Sequence, residues 1–271
     1  MTKPCISEAT TMAASFAEDV QAFAGAGFRA MEVWLTKLET HLERNSLAET
    51  RQLLEDQQMT LAAASYQGGL LLSQGEQRRV HFDHFRRRLE LCQGLSIALL
   101  LVVADFAGEV DQTSLERSVV SLKQAAQWAA GFDVRLGLEF RGSATFCSSL
   151  STALALVAQC GEPNVGINFD VFHYYTGPSK LEDFALLTRE NLAFVQLSDL
   201  AGVPRELARD ADRILPGDGE FQLASISEHI RAIGYDGYVS LELMNPVLWQ
   251  MKPSQVAEMG MKALTRLINN E

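Results

Sequence analysis

The feature that most restricts the fold of this chain is an alternation sustained from end to end. Short β-like runs at residues 4–9, 29–35, 60–66, 97–104, 134–140, 165–169, 193–197 and 238–243 are separated by longer stretches of helical periodicity. Several runs are apolar on both faces, as in Leu99-Leu-Leu-Val-Val. Strands of that kind belong inside a parallel sheet covered by helices on both sides. The helical segments are expected at residues 15–26, 38–57 (broken near Asn45-Ser46), 75–92, 112–130, 148–160, 180–190, 221–233 and 253–269. Gly27, Gly94, Gly131, Gly161 and Gly234 each stand near a helix end, where a left-handed residue commonly terminates the helix.

Eight βα units share 271 residues, about 34 each, the usual size of a βα pair with its loops. No Pro/Gly/Ser-rich linker and no shift in composition interrupts them, so residues 1–271 read as a single domain. The expected fold is a closed (β/α)8 TIM barrel. An open doubly wound sheet usually carries a glycine-rich phosphate turn after its first strand. Here that strand runs into Glu8-Ala-Thr-Thr, and no G-x-G-x-x-G occurs.

Composition narrows the function. With 23 Lys and Arg against 34 Asp and Glu the formal charge is −11, which argues against a nucleic-acid binder. No basic tract faces an anionic membrane, and the apolar run Ile97 to Ala104 is far short of a membrane span. The first residues, Met1-Thr-Lys-Pro-Cys-Ile, lack a signal-like apolar stretch. Cys5, Cys92, Cys147 and Cys160 form no C-x-x-C pair and read as buried thiols in a reducing, cytoplasmic setting.

In such a barrel the chemistry sits at the C-terminal ends of the strands. Strand 5 ends in Leu138-Glu139-Phe, strand 6 in Asn168-Phe-Asp170, strand 7 contains Val195-Gln196-Leu, and strand 8 carries Leu241-Glu242-Leu. Three carboxylates at similar heights, with no basic partner on the same strands, would repel one another. A divalent cation removes the conflict. Glu139, Asp170, Gln196 and Glu242 therefore read as one all-oxygen metal site, suited to Mg²⁺, Mn²⁺ or Co²⁺ more than to Zn²⁺.

These motifs, with Val171-Phe-His173, Ser198-Asp199, Pro216-Gly-Asp-Gly-Glu220 and Ser240-Leu-Glu242-Leu, resemble the sugar phosphate isomerase/epimerase superfamily of xylose-isomerase-like barrels. The resemblance is densest from residue 136 to 245. It implies that Glu139, Asp170, Gln196 and Glu242 bind one divalent metal and that His173 contacts substrate or moves a proton. Many sugar epimerases of this superfamily have His at the place of Gln196. Gln there resembles the subset with hydroxypyruvate isomerases and 3-dehydroshikimate dehydratases. Arg213, in the loop after strand 7, is either a salt-bridge partner of Asp210 or Asp212 or, as the family's loop Arg, a clamp on substrate; Arg205 is a weaker candidate. Trp34 either walls the pocket or packs in the core. Gln67, followed by Gly68-Gly69, stands at the mouth of strand 3 as a substrate contact. His41, His81, His84 and His229 lie away from the strand ends and read as packing or surface residues.

The expected reaction begins with a proton next to a carbonyl. Glu139 or Glu242 takes it, the metal stabilises an enediolate as a Lewis acid, and His173 moves a second proton. Return of the proton to the neighbouring carbon gives isomerisation, to the opposite face epimerisation, and loss of a β-hydroxyl gives dehydration. The expected function is that of a metal-dependent isomerase or epimerase of a small, sugar-like polyhydroxy carbonyl compound. A 3-dehydroshikimate-dehydratase-like lyase is the alternative. No cluster of Lys and Arg marks a phosphate pocket, and the resemblance allows a homo-oligomer.

Overall fold

Strands and helices alternate in a computed structural model of the chain that describes residues 2–269. The order is β1 (Lys3–Ser7), α1 (Phe16–Gly25), β2 (Ala30–Trp34), α2 (Leu35–Leu42), α3 (Leu47–Asp56), β3 (Thr60–Gln67), α4 (Gly75–Gly94), β4 (Leu99–Val103), α5 (Gln112–Ala130), β5 (Arg135–Glu139), α6 (Leu150–Cys160), β6 (Val165–Asp170), α7 (Val171–Thr176), β7 (Leu192–Leu197), α8 (Leu223–Ala232), β8 (Tyr238–Leu241) and α9 (Pro253–Asn269). The strands close into a parallel barrel in chain order, the (β/α)8 TIM barrel expected from the alternation. Every residue of β4 and β6 is buried, as strands covered on both faces must be.

The chain divides into two compact units, residues 63–194 and the remainder. Within the remainder, β1 pairs with β2 (Ser7 opposite Glu32) and with β8 (Cys5 opposite Ser240), while β7 pairs with β8 (Gln196 opposite Ser240). Within residues 63–194, β4 sets Val103 opposite Glu139 and β5 sets Glu139 opposite Asn168. These registers decide which polar side chains meet, because a one-residue slip would turn each to the other face.

Local chemistry sets the helix ends. Ser15 and Glu18 form a capping box on α1, and Ser46 and Glu49 form another on α3, so the break expected near Asn45-Ser46 is a true helix start. The helix expected at residues 180–190 is instead a 3₁₀ turn, Leu181–Leu186. Asn191 closes it, accepting from the Thr188 N–H at 2.8 Å and donating to the Leu186 carbonyl at 2.9 Å, so the helical ladder cannot continue. The six-residue helix α7 starts immediately behind β6 and escapes a reading by periodicity because it is less than two turns long. Gly27, Gly161 and Gly234 have the expected positive φ, but Gly94 is the last residue of α4 and Gly131 is right-handed. There the left-handed residues are Ser96 and Asp133, small polar residues that tolerate this conformation.

Candidate metal centre

The cluster at the ends of β5 and β6 is built by local rules. Asp170 ends β6 and caps α7, its Oδ1 accepting from the Phe172 N–H at 2.8 Å. The first turn of α7 then carries His173 back toward Asp170. Asn168, two residues earlier on the same face of β6, donates from Nδ2 to Glu139 Oε2 at 3.0 Å. Each carboxylate thus has one oxygen held by an N–H while the other faces the imidazole. His173 Nε2 lies 3.5 Å from Glu139 Oε1 and 3.7 Å from Asp170 Oδ2. One donor atom from each of the three lies within 4.8 Å of the other two, and all three residues are buried.

The donor set fits a divalent ion. Two buried carboxylates side by side need a positive charge. Donors about 2.0–2.2 Å from a shared ion stand roughly 3–3.5 Å apart, close to the spacings seen, whereas 3.5–3.7 Å is long for direct hydrogen bonds. His173 therefore joins Glu139 and Asp170 as a possible ligand, a nitrogen where the sequence suggests only oxygen.

In the unit that contains β8, Glu242 stands two residues beyond Ser240 and continues the ladder, its N–H donating to the Leu197 carbonyl at 3.1 Å. Its Oε2 accepts from Arg213 Nη1 at 3.1 Å. No basic partner stands on the strands themselves, as expected; the cation that meets Glu242 comes from the loop after β7. The same guanidinium, 1% exposed, reaches Asp210 Oδ1 through Nη2 at 2.8 Å and Nε at 3.2 Å. Arg213 is thus the salt-bridge partner of Asp210, while Asp212 caps the Arg209 N–H. Arg205 is exposed beside Glu206.

Asp199 shapes the loop that delivers Arg213. It is fully buried, and its two oxygens accept from the N–H groups of Leu200, Gly217, Gly219 and Phe221 at 2.9–3.1 Å. Its backbone also pairs with Ile214. A Cβ at Gly219 would collide with the Asp199 carboxylate, which explains the glycine in Pro216-Gly-Asp-Gly.

Two buried carboxylates, Glu32 on β2 and Glu8, stand near Gln196 and Trp34. Glu32 Oε1 accepts from Gln196 Nε2 at 2.9 Å, and its Oε2 accepts from Ser240 Oγ at 2.8 Å. Glu8 Oε2 accepts from the N–H of half-buried Trp34 at 2.7 Å. Lys37 Nζ lies 3.8 Å from Glu8 Oε1 and pairs with buried Asp19. Burial pushes the Glu8 carboxyl well above its usual range, and burial also raises Asp19 against the pull of Lys37.

Gln67 is buried in the unit of residues 63–194. Its Oε1 accepts from Arg88 Nη1 at 3.2 Å and its Nε2 donates to the Gly68 carbonyl at 2.7 Å. His81 packs against Gly69 and His41 stacks on Phe16 with ring centroids 4.8 Å apart, the packing roles expected of them. All four cysteines are buried free thiols, and no described helix is long and apolar enough to cross a membrane.

Comparison with known proteins gives a consistent picture. The chain is 23% identical over 275 residues to an inosose isomerase of Bacillus licheniformis, covering 98% of each chain. It is 25% identical over 264 residues to a 3-dehydroshikimate dehydratase of Pseudomonas putida, covering 95% of this chain but 40% of that enzyme. Among solved structures, the IOLI protein with a bound zinc atom superimposes with a TM-score of 0.92 at 21% identity, covering 99% of both chains. An L-ribulose 3-epimerase gives 0.77 at 15% identity, covering all of this chain and 95% of that one. A family model described as xylose isomerase-like TIM barrel matches residues 20–267. The chain belongs to the xylose isomerase-like TIM-barrel family.

Proposed function

We propose that this protein is a divalent-metal-dependent isomerase or epimerase of a small, unphosphorylated polyhydroxy ketone, a cyclic inosose-like compound foremost. The observation that carries this reading is the meeting of Glu139 Oε1, Asp170 Oδ2 and His173 Nε2 at the ends of β5 and β6. The near full-length similarity to inosose isomerases supports the substrate class. Glu139 and Asp170 hold the metal, with Gln196 and Glu242 as the further ligands that their strand-end positions and the family resemblance suggest.

A bound divalent ion supplies positive charge against which a developing enediolate is stabilised. The protein's own groups do the rest. Glu139 or Glu242 removes the proton from the carbon beside the carbonyl and can return it to the neighbouring carbon. His173 shuttles a proton to or from a substrate oxygen when its imidazole is turned to the substrate rather than to the ion. Arg213 balances the charge of Glu242 and presents a guanidinium to substrate hydroxyls. Trp34 and Gln67 line the substrate's approach.

The test is incubation with Mn²⁺ and a panel of inososes, ketoses and hydroxypyruvate in D₂O, followed by NMR. Deuterium entering the carbon beside the carbonyl, lost by about 10²–10⁴-fold in Glu139→Gln, supports the reading. No exchange into any of them overturns it. The similarity to 3-dehydroshikimate dehydratases favours a second reading on the same residues, loss of a β-hydroxyl. Appearance of protocatechuate absorbance from 3-dehydroshikimate would select it.

A further inference from the structure

We propose that Glu32 is a positioning residue that fixes which end of the Gln196 amide is offered to a metal ion. The inference rests on the reading of Gln196 as a ligand and adds a residue to it.

Only the carbonyl oxygen of a glutamine binds a hard cation; the amide nitrogen carries protons and no available lone pair. A glutamine ligand is therefore useful only if its amide is turned the right way. Glu32 supplies the direction. It is fully buried on β2, and both its oxygens act as acceptors, Oε1 for Gln196 Nε2 at 2.9 Å and Oε2 for Ser240 Oγ at 2.8 Å. A carboxylate that accepts on both oxygens is satisfied in its ionised form. Reversing the Gln196 amide would set its carbonyl oxygen against Glu32 Oε1, two acceptors with no proton between them. The amide thus points Nε2 at Glu32 and Oε1 along its other branch.

Strand register holds this arrangement. Gln196 and Ser240 are directly opposite on β7 and β8, and Ser7 on β1 stands opposite Glu32 on β2. Ser240 anchors one oxygen of Glu32, which leaves the other to orient Gln196. The same carboxylate would accept an imidazole N–H, so a histidine at position 196 would find its orienting partner already in place.

The experiment measures Mn²⁺ affinity by electron paramagnetic resonance of the free ion, on the full chain, for wild type, Glu32→Gln, Gln196→Ala, Gln196→His and the Glu32→Gln/Gln196→Ala double variant. Melting curves establish that each is folded. Glu32→Gln is expected to weaken binding by about ten- to hundredfold, and Gln196→His to keep it. In the Gln196→Ala background the Glu32→Gln change should cost less than about twofold, because its effect passes through Gln196. Unchanged affinity in Gln196→Ala overturns the reading of Gln196 as a ligand, and the positioning role with it. Weaker binding in Gln196→Ala with unchanged binding in Glu32→Gln overturns the positioning role alone, as does an equal loss from Glu32→Gln in both backgrounds. If Glu32→Gln does not fold, Ser240→Ala tests the same point: it keeps the charge, frees the anchor and should weaken binding in the same direction, whereas wild-type affinity overturns the proposal.

Discussion

Arg213 Nη1 stands 3.1 Å from Glu242 Oε2, and both side chains are buried. The contact ties the long loop after β7 to the end of β8, and it gives Glu242 a counter-charge that no strand supplies. Removing one member of a buried pair leaves the other desolvated and alone. Arg213→Met should therefore lower stability by about 3–5 kcal/mol in urea unfolding. Arg213→Lys should recover part of this loss, since a single ammonium cannot serve Glu242 and Asp210 as a guanidinium fork does.

Asp199 gives a second prediction. Four backbone N–H groups of Leu200, Gly217, Gly219 and Phe221 end on its carboxylate. Asp199→Ala removes both acceptor oxygens and with them all four hydrogen bonds, and even with water replacing some of them the loss should reach about 3 kcal/mol. Limited proteolysis should cut the Asp199→Ala variant within residues 200–221 much faster than wild type. Asp199→Asn should fall between the two, because one of its branches presents N–H to N–H.

The metal reading predicts a dependence of stability on added ion. A chelator should lower the melting temperature, and Mn²⁺ at about a hundred times its dissociation constant should restore about 2.7 kcal/mol. Asp170→Asn and Glu139→Gln should each abolish most of that recovery. An equal melting temperature with and without Mn²⁺ in the wild type would refute the site.

Legibility in the sequence divides along distance. The eight strands and most helices show in periodicity because that signal needs only a turn or two of chain. Glu139 and Asp170 stand out as polar ends of apolar runs, and His173 follows Asp170 closely enough to be noticed. The Glu32 contacts do not show, since Gln196 is 164 residues away and Ser240 is 208. Their meeting depends on barrel closure and register, which no local pattern encodes. Arg213 is visible as a loop arginine beside Asp210, but its second partner, Glu242, appears only when the loop is folded. Asn168 is hidden for a different reason: an asparagine inside an apolar strand announces polarity but not its partner, Glu139.

A pH prediction follows from Glu8, Asp19 and Lys37, where one ammonium faces two buried carboxylates. Burial holds the Glu8 carboxyl well above its ordinary value of 4.5, so the folded chain keeps a proton that the unfolded chain releases. The contribution of Glu8 to stability must then fall as pH rises above about 4.5, because at this group the unfolded state binds fewer protons in that window. Melting temperatures measured from about pH 4.5 to about pH 8 should show wild type losing stability relative to Glu8→Gln. Parallel curves would show that Glu8 does not carry the effect.

The Asp199 knot also has a consequence for how this barrel can diversify. It grips the loop just after β7 and again from Ile214 to Phe221, so the stretch in between hangs from two fixed posts. Residues 201–209 of that stretch are mostly exposed, Leu207 among them. Residues could be inserted, deleted or exchanged there while Arg213 stays seated on Glu242. The scaffold thus separates a segment free to vary from the charged residues that must keep their places.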